Sequence, residues 1–254
     1  MDNICALIPA RFDSTRLSGK PLLKINNKTI IQRTYEQTCK SKYIKKVYVV
    51  TDSDLIIKEV ERIGGSAIKM VKPCLNGTER ICKVLDKIPS EYNIIVNVQG
   101  DEPFIDPANI DFTIEKYLEN EFDEKMVCTT IHYKLDSEQE LYNRGIGKMV
   151  MDVNDNVLYC SRSMIPHTKS GNPDKNVNYV GHIGVFVFRR SYLPSFMTDK
   201  NTPAQMAEDI EWLKIIETGY KLKSYTCPAE CEIGVNTLED YHYLLNKYEM
   251  FKNL

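Results

Sequence analysis

Three cationic side chains lie close together near the start of the chain, directly after an apolar run. Arg11, Arg16 and Lys20 all fall in the segment ALIPARFDSTRLSGKPLL, residues 6–23. Arginine offers forked hydrogen bonds and lysine a compact charge, and both suit a polyphosphate. The Gly-Lys-Pro sequence at 19–21 disfavours a helix, so the segment is predicted to be a loop. We expect this loop to bind an anion; the alternative is a solvated loop whose cations have no ligand.

A second group of candidate residues lies in the segment VNVQGDEPFIDP, residues 96–107. Asp101 comes directly after a predicted buried strand and a glycine. A carboxylate held there suits a Mg²⁺ ligand beside phosphates better than a catalytic base. Glu102 either assists it or, given the proline that follows, only shapes the turn. A plain surface turn is the alternative for this segment.

Two common nucleotide-binding motifs are absent from the sequence. A P-loop would need a glycine five residues before Gly19, but that position holds Ser14. The first strand is also not followed by a G-x-G-x-x-G fingerprint. An anion site in the first loop would therefore rely on side-chain cations and free backbone N–H groups.

The elements that would position these residues alternate between strands and helices. Strands are predicted at ICALIPA, VYVVTD, SAIKMV and NIIVNVQG, and helices through 29–40, 53–63 and 78–88. Nearly continuous apolar runs are typical of a parallel sheet that helices cover on both faces. In such an α/β fold the ligand site lies beyond the carboxyl ends of the strands. We expect the loops after ALIPA, VVTD and VNVQGDEP to meet there.

The pattern changes from about residue 126. The shorter runs MVCTTIHY, GKMVMD, VLYCSRS and YVGHIGVFVFR are separated by turn residues and predict antiparallel or mixed strands. The polar segment 165–178 is the candidate for a mobile loop, and helices at 205–218 and 238–251 are expected to close the chain. Because no flexible linker interrupts the sequence, we expect one domain with an inserted or appended β-rich lobe.

The composition predicts a soluble protein whose anion binding is local. The 254 residues are 43% hydrophobic and 27% charged, which is ordinary for a globular protein. A net charge of −2 provides no general basic surface for nucleic acid or an anionic membrane. Eight cysteines without a C-x-x-C pair indicate a reducing compartment, and neither a leader peptide nor an apolar run of about 18 residues is present. We therefore expect a cytoplasmic protein.

Five sequence blocks together resemble one enzyme family. IPARFDSTRLSGKPL, NGTERI, NVQGDEPFI, HIGVFVFRR and GVNTLEDY are similar, in this order, to the 3-deoxy-manno-octulosonate (KDO) cytidylyltransferases. The resemblance implies a nucleotide-diphospho-sugar transferase fold: a Rossmann-like, mostly parallel sheet with helices on both faces and a smaller β-rich dimerisation lobe. It implies a single domain of residues 1–254, divided into a nucleotide-binding half (1–125), a sugar-binding and dimerisation lobe (126–190) and closing helices (191–254).

The resemblance also implies a reaction and a homodimer. CTP and KDO would give CMP-KDO and pyrophosphate with Mg²⁺, in a step of lipopolysaccharide biosynthesis. The anomeric hydroxyl of the sugar would attack the α-phosphorus in line, without a covalent enzyme intermediate.

The roles of individual residues follow from the same resemblance. The catalytic residues would be Arg11, Lys20 and Asp101. The CTP-binding residues would be Arg11, Ser14, Arg16, Lys20, Gly77, Thr78, Arg80 and Gln99. The sugar-binding residues would be Lys148, Arg162, His182 and Glu211, and the metal ligands would be Asp101 and Asn236. Without the resemblance, Thr78 and Glu79 would be interpreted as a helix cap and a first-turn acid, His182 as a structural histidine and Trp212 as a core residue.

Three departures from the family pattern leave alternatives open. The family's GVDTPEDL is GVNTLEDY here, so Asn236 replaces an aspartate and removes one charge from the metal site. Its LEQLR is IEWLK, with Trp212 and Lys214, and KPCL precedes NGTER in place of a polar run. The acceptor could accordingly be another ulosonic acid, such as 8-amino-KDO or a sialic-type sugar, or the protein could be a catalytically weakened nucleotide-sugar-binding protein.

Overall fold

The computed structural model describes residues 3–13, 17–120, 123–198, 200–230 and 233–250. The chain forms two compact units. The first combines residues 1–111 with 229–254, and the second consists of residues 112–228.

The first unit contains the alternation of strands and helices expected from the sequence. Its elements are β1 (Ile4–Ala10), a 3-10 helix (Lys20–Leu22), β2 (Lys24–Ile25), β3 (Lys28–Thr29), α1 (Ile30–Thr38), β4 (Ile44–Thr51), α2 (Asp54–Arg62), β5 (Ala67–Lys69), α3 (Gly77–Cys82), a second 3-10 helix (Leu85–Lys87) and β6 (Ile94–Val98). Helix α4 (Pro107–Leu118) begins in this unit and continues into the second. The strands run parallel in the order β6-β1-β4-β5, and β2 and β3 form a separate hairpin. Every residue of β1 and β6 is buried, which confirms the prediction of a parallel sheet covered on both faces.

The helices of this unit begin at side chains that accept backbone N–H groups. Thr29 caps α1, Ser53 caps α2 and Asn76 caps α3. The alternative interpretation of Thr78 as the cap of its helix is wrong, because Asn76 Oδ1 accepts the N–H of Glu79 at 2.8 Å. Glu79 lies in the first turn, as expected.

The second unit is built on antiparallel pairs with one parallel edge strand. Its elements are β7 (Met126–Lys134), α5 (Glu138–Tyr142), β8 (Lys148–Met151), β9 (Val157–Ser161), β10 (Val180–Arg189), a 3-10 helix (Arg190–Tyr192), α6 (Leu193–Thr198), α7 (Pro203–Glu208), α8 (Leu213–Glu217) and β11 (Lys221–Thr226). Strand β10 pairs antiparallel with β7 and β8, β8 pairs antiparallel with β9, and β11 pairs parallel with β7. Segment 165–178 contains neither helix nor strand.

The helix expected over 205–218 is two helices, so this prediction is wrong in its detail. Helix α7 ends at Glu208, because the next residue, Asp209, has a φ of 52° in the left-handed region and stops the helix. Helix α8 begins only at Leu213. Both helices and β11 belong to the second unit and not with the final helix, because β11 completes the sheet beside β7.

The final helix, α9 (Leu238–Met250), returns to the first unit. Leu244 of α9 packs with Val235, Ile25 and Ile30 in one buried cluster. The rings of Phe104 and Tyr248 stack with centroids 3.8 Å apart. Within the described ranges, no helix has both the length and the apolar character needed to cross a membrane.

Candidate active site

A cavity of about 200 Å³ lies in the first unit, at the carboxyl ends of β1 and β6. Such crevices are where ligands bind in open parallel sheets. The loop after β1, the start of α3, the loop after β6 and the residue two positions before α9 form its walls. The lining residues are Pro9, Ala10, Arg11, Lys20, Pro21, Cys74, Leu75, Asn76, Gly77, Arg80, Gln99, Gly100, Asp101 and Asn236.

Lys20 is held in place by two acceptors from different parts of the chain. Its Nζ lies 2.6 Å from Asp101 Oδ2 and 2.6 Å from the carbonyl oxygen of Val235. The lysine side chain is 14% exposed and the aspartate side chain 26%. Gly19, with φ of 68°, makes the turn from which Lys20 enters its short helix. The ammonium group is therefore fixed at the wall of the cavity before any ligand binds.

Arg80 of α3 supplies a second fixed cation to the cavity. Its guanidinium donates to Asp52 Oδ2 at 3.1 Å and to the carbonyl oxygen of Met70 at 3.3 Å. Asp52 Oδ1 accepts the backbone N–H of Phe12 at 3.2 Å. Sequence reasoning did not single out Asp52, although its place at the end of the VYVVTD run indicated a residue at the carboxyl edge of the sheet.

Glycines at 77 and 100 allow the strand ends and α3 to come close together. A Cβ at Gly77 would lie 3.0 Å from Pro9 Cγ and 3.1 and 3.2 Å from the amide atoms of Gln99. A Cβ at Gly100 would lie 2.8 Å from the carbonyl oxygen of Pro9. The amide of Gln99 is consequently confined against the start of α3.

Thr78 lies beneath this wall and does not line the cavity. It is 1% exposed, and its Oγ1 accepts a hydrogen bond from Nδ2 of the fully buried Asn97 at 3.3 Å. Of the residues expected at the nucleotide site, the structure brings Arg11, Lys20, Gly77, Arg80 and Gln99 together at the cavity. Ser14 and Arg16 lie outside the described residues.

The oxygen donors expected for Mg²⁺ also meet at this cavity. Asp101 and Asn236 both line it. The backbone N–H groups of Asn236 and Thr237 donate to Asp240 Oδ2 at 2.9 and 2.8 Å, which fixes the chain at Asn236. Mg²⁺ commonly takes one or two protein oxygens and completes its shell with phosphates and water. One carboxylate and one amide oxygen beside fixed cations fit that requirement.

Two of the expected sugar ligands, Lys148 and Arg162, bind backbone carbonyls of the second unit. Lys148 is fully buried, and its Nζ lies 2.5 Å from the carbonyl oxygen of Asn143 and 3.0 Å from that of Arg162. Burial lowers the pKa of Lys148 to about 8, and the charge of Arg162 acts in the same direction. The guanidinium of Arg162 donates to the carbonyl oxygens of Gly145, Glu208 and Asp209. These contacts stabilise the unit, and sugar binding by either residue stays a prediction.

Trp212 is part of the packing of the second unit. It is 6% exposed, its Nε1 donates to Cys160 Sγ at 2.9 Å, and its ring centroid lies 4.1 Å from that of His182. Burial raises the pKa of the Cys160 thiol to about 12, against the effect of the hydrogen bond from Trp212. His182 therefore has an aromatic neighbour, while Glu211 lies in the turn between α7 and α8. Their sugar-binding roles also stay predictions.

Comparisons with known proteins agree on one family. Residues 5–224 match the family described as cytidylyltransferase. The 3-deoxy-manno-octulosonate cytidylyltransferase of Protochlamydia amoebophila is 36% identical over 94% of this chain and 92% of its own length. The protein of the same name from Fusobacterium nucleatum is 38% identical over 94% of each chain.

Solved structures show the same similarity. A structure of CMP:2-keto-3-deoxy-manno-octonic acid synthetase in complex with CTP superimposes with a TM-score of 0.88, at 28% identity and over 100% of both chains. A 4-diphosphocytidyl-2C-methyl-D-erythritol synthase from Anaerococcus prevotii has a TM-score of 0.64 at 13% identity, over 98% of this chain and 96% of its own, and shares the fold.

Proposed function

The chain belongs to the 3-deoxy-manno-octulosonate cytidylyltransferase family, and we propose that it transfers CMP from CTP to the anomeric hydroxyl of KDO. The products are CMP-KDO and pyrophosphate. The observation that carries the proposal is the cavity at the ends of β1 and β6, which is lined by the cations Arg11, Lys20 and Arg80 and by one carboxylate, Asp101. A triphosphate is an anion that such a group of arginine and lysine side chains binds well.

The protein residues contribute positioning and charge. The anomeric hydroxyl releases its proton to solvent as its oxygen forms a bond to the α-phosphorus. The bond from that phosphorus to the bridging oxygen breaks, and pyrophosphate leaves with the negative charge. Arg11 and Lys20 line the cavity where this charge would develop, and fixed cations stabilise such charge without reorganising. No covalent intermediate with a protein side chain is needed.

Mg²⁺ is part of the proposal, and Asp101 and Asn236 would hold it. When bound, it neutralises phosphate charge and favours departure of the pyrophosphate. Asp101 also accepts a hydrogen bond from Lys20 at 2.6 Å, so the same carboxylate orients the lysine.

Asn236→Asp is expected to lower the Mg²⁺ concentration needed for half-maximal turnover severalfold, because it adds a negative charge to the donor set. Asn236→Ala is expected to raise that concentration. Turnover titrated with Mg²⁺ measures both. Asn172→Asp, an exposed position outside the cavity, is the control for the added charge and should leave the titration unchanged. Identical Mg²⁺ curves for all three variants would remove Asn236 from the metal site.

Gly77→Ala is expected to raise the KM for CTP by about tenfold or more. The new Cβ would fall 3.1 and 3.2 Å from the amide atoms of Gln99 and would displace a group that we assign to cytosine recognition. Because a misplaced amide also weakens discrimination, the ratio of kcat/KM for CTP to that for UTP should fall. Gly171→Ala is the control for glycine replacement: its Cβ meets nothing within 4 Å, and the strain of alanine at a φ of 81° should lower stability without changing the KM for CTP. An unchanged CTP to UTP ratio in Gly77→Ala would contradict the assignment of Gln99.

Pyrophosphate release from CTP and Mg²⁺ tests the reaction directly. KDO, 8-amino-KDO, a sialic acid and a sample without sugar should be compared at equal concentration. Release that depends on KDO supports the proposal, whereas a preference for 8-amino-KDO or the sialic acid would assign another ulosonic acid as the substrate. CTP binding without release in any sample would instead indicate a nucleotide-sugar-binding protein.

A homodimer and a cytoplasmic place in lipopolysaccharide biosynthesis complete the proposal. Apolar exposure on the β8–β9 hairpin supports the dimer, since Val153 is 99% exposed and Leu158 56% exposed. Sedimentation of the wild-type protein would test it, and a monomer at micromolar concentration would speak against this interface.

A further inference from the structure

Asp52 connects two of the cationic elements without lining the cavity itself. It follows directly after β4, at the carboxyl edge of the parallel sheet. Its Oδ1 accepts the N–H of Phe12 at 3.2 Å, and its Oδ2 accepts a guanidinium N–H of Arg80 at 3.1 Å. One carboxylate thus contacts both the loop after β1 and helix α3.

On the α3 side, Asp52 fixes the orientation of a cavity-lining arginine. The Arg80 side chain is 8% exposed and is held from a second direction by the carbonyl oxygen of Met70. A planar guanidinium that donates hydrogen bonds to two different acceptors is held in one plane, and these two contacts also fix the orientation of its remaining N–H groups. Without the Asp52 carboxylate, only the hydrogen bond to the Met70 carbonyl oxygen would remain of these two contacts.

On the loop side, Asp52 acts at the base of the segment that carries Arg11 and Lys20. Phe12 follows Arg11 directly, and its N–H is bound by Asp52. The carbonyl oxygen of Phe12 accepts the N–H of Gly19 at 2.9 Å, and Gly19 precedes Lys20. Asp52 therefore holds the backbone of Phe12, and Phe12 in turn holds the backbone of Gly19.

We propose that Asp52 is a positioning residue that holds Arg80, and through Phe12 the neighbouring residues Arg11 and Lys20, in the geometry that binds the phosphates of CTP. This proposal rests on the proposed function, because it needs CTP as the ligand of the cavity. Cationic side chains that are already ordered bind phosphates more tightly, because the entropy of ordering them is lost during folding and not on binding. A partly exposed ion pair such as Asp52–Arg80 contributes little to folding stability, so we assign it the role of orienting the arginine.

The variants Asp52→Ala and Asp52→Asn test the role. In Asp52→Ala the Kd and KM for CTP are expected to rise about tenfold to a hundredfold, as for the loss of a hydrogen bond to a charged group. The kcat should fall less, because saturating CTP itself orders Arg80, and the KM for KDO should not change. Asp52→Asn keeps one oxygen acceptor for the two donors, so its Kd and KM for CTP should lie between those of the wild type and those of Asp52→Ala.

The matched control is Asp54→Ala. Asp54 lies two residues further along and makes a surface ion pair with Lys69 at 2.7 Å, with its side chain 68% exposed. This variant should stay within about twofold of the wild type in all constants, because exposed pairs contribute little. The melting temperature of each variant, with calorimetric CTP binding measured well below it, separates folding from positioning.

A double-mutant cycle with Arg80→Ala measures how much of the CTP affinity lost in Asp52→Ala depends on Arg80. If Asp52 acts through Arg80, Asp52→Ala costs less CTP affinity in the Arg80→Ala background than in the wild type. Wild-type protein that binds and turns over CTP, with an Asp52→Ala variant of unchanged KM, would overturn the positioning role and leave the proposed function standing. An Asp52→Ala variant with a lowered melting temperature, a lower kcat and similar increases in the KM for CTP and the KM for KDO would also overturn it, in favour of a purely structural role. A wild type that does not bind CTP would overturn the proposed function and this role together.

Discussion

Lys20→Met is expected to lower the kcat/KM for CTP by about a hundredfold to a thousandfold, the usual cost of removing one fixed charge-stabilising donor. Methionine keeps most of the length and the apolar stem of lysine but removes the ammonium group. The ammonium lies 2.6 Å from Asp101 Oδ2 and 2.6 Å from the carbonyl oxygen of Val235, so both acceptors would lose their donor together. Initial rates of pyrophosphate release at varied CTP concentration measure the effect.

The loss should be larger in kcat than in KM, because the charge on pyrophosphate increases as it leaves. Lys28→Met is the matched control: Lys28 forms an exposed ion pair with Glu36 and does not line the cavity. We expect that control to remain within about twofold of the wild type. A Lys20→Met enzyme within threefold of the wild type would show that Lys20 only stabilises the loop.

Asp101→Ala is expected to lower turnover by about a hundredfold or more, because it removes both a Mg²⁺ donor and the partner of Lys20. Asp101→Asn separates the two roles. Its amide oxygen can still accept from Lys20, but it lacks the charge that attracts the metal. We therefore expect Asp101→Asn to recover part of its activity at high Mg²⁺ and Asp101→Ala to recover little. Turnover across a Mg²⁺ titration, together with the melting temperature of each variant, measures this.

Asp106→Ala is the control from the same loop. The Oδ1 atom of Asp106 accepts the N–H of Ala108 at 2.8 Å at the start of α4, outside the cavity. Loss of such a contact at a helix start costs about 1 kcal/mol of stability and should leave the Mg²⁺ dependence unchanged. Equal Mg²⁺ curves for the wild type and Asp101→Asn would contradict the metal role of Asp101.

The strands of the first unit were predictable because their burial is visible in the sequence. ICALIPA became β1 with the same limits, Ile4–Ala10, since a central parallel strand buries every side chain and is apolar throughout. Strand β11, Lys221–Thr226, carries no such signal: lysines and hydroxyl residues occupy most of it, and only Leu222 and Ser224 are fully buried. Its pairing with β7 decides its conformation, and β propensity is dominated by such neighbours.

Helix α4 and the break between α7 and α8 were also beyond the sequence reasoning. Helix α4 follows the candidate metal residue closely, and the turn signals of GDEPFIDP concealed its start at Pro107. The break depends on Asp209 in a left-handed conformation, which a non-glycine residue adopts only where surrounding contacts favour it. One such contact is the hydrogen bond from Arg162 to its carbonyl oxygen at 2.8 Å.

The sequence by itself determined which chemical groups this protein could bring to a ligand and at which edge of the sheet they stand. Cations after the first strand and a carboxylate after a later one indicate a phosphate site, because parallel strands end at a common edge. Only the tertiary structure decided which groups touch. Lys20 and Asp101 are 81 residues apart, and they meet because β1 and β6 are neighbours in the sheet. Asp52 reaches Phe12 for the same reason, since β4 flanks β1 on its other side. Strand order depends on long-range packing that no local pattern specifies, and that order sets the distances on which the chemistry depends.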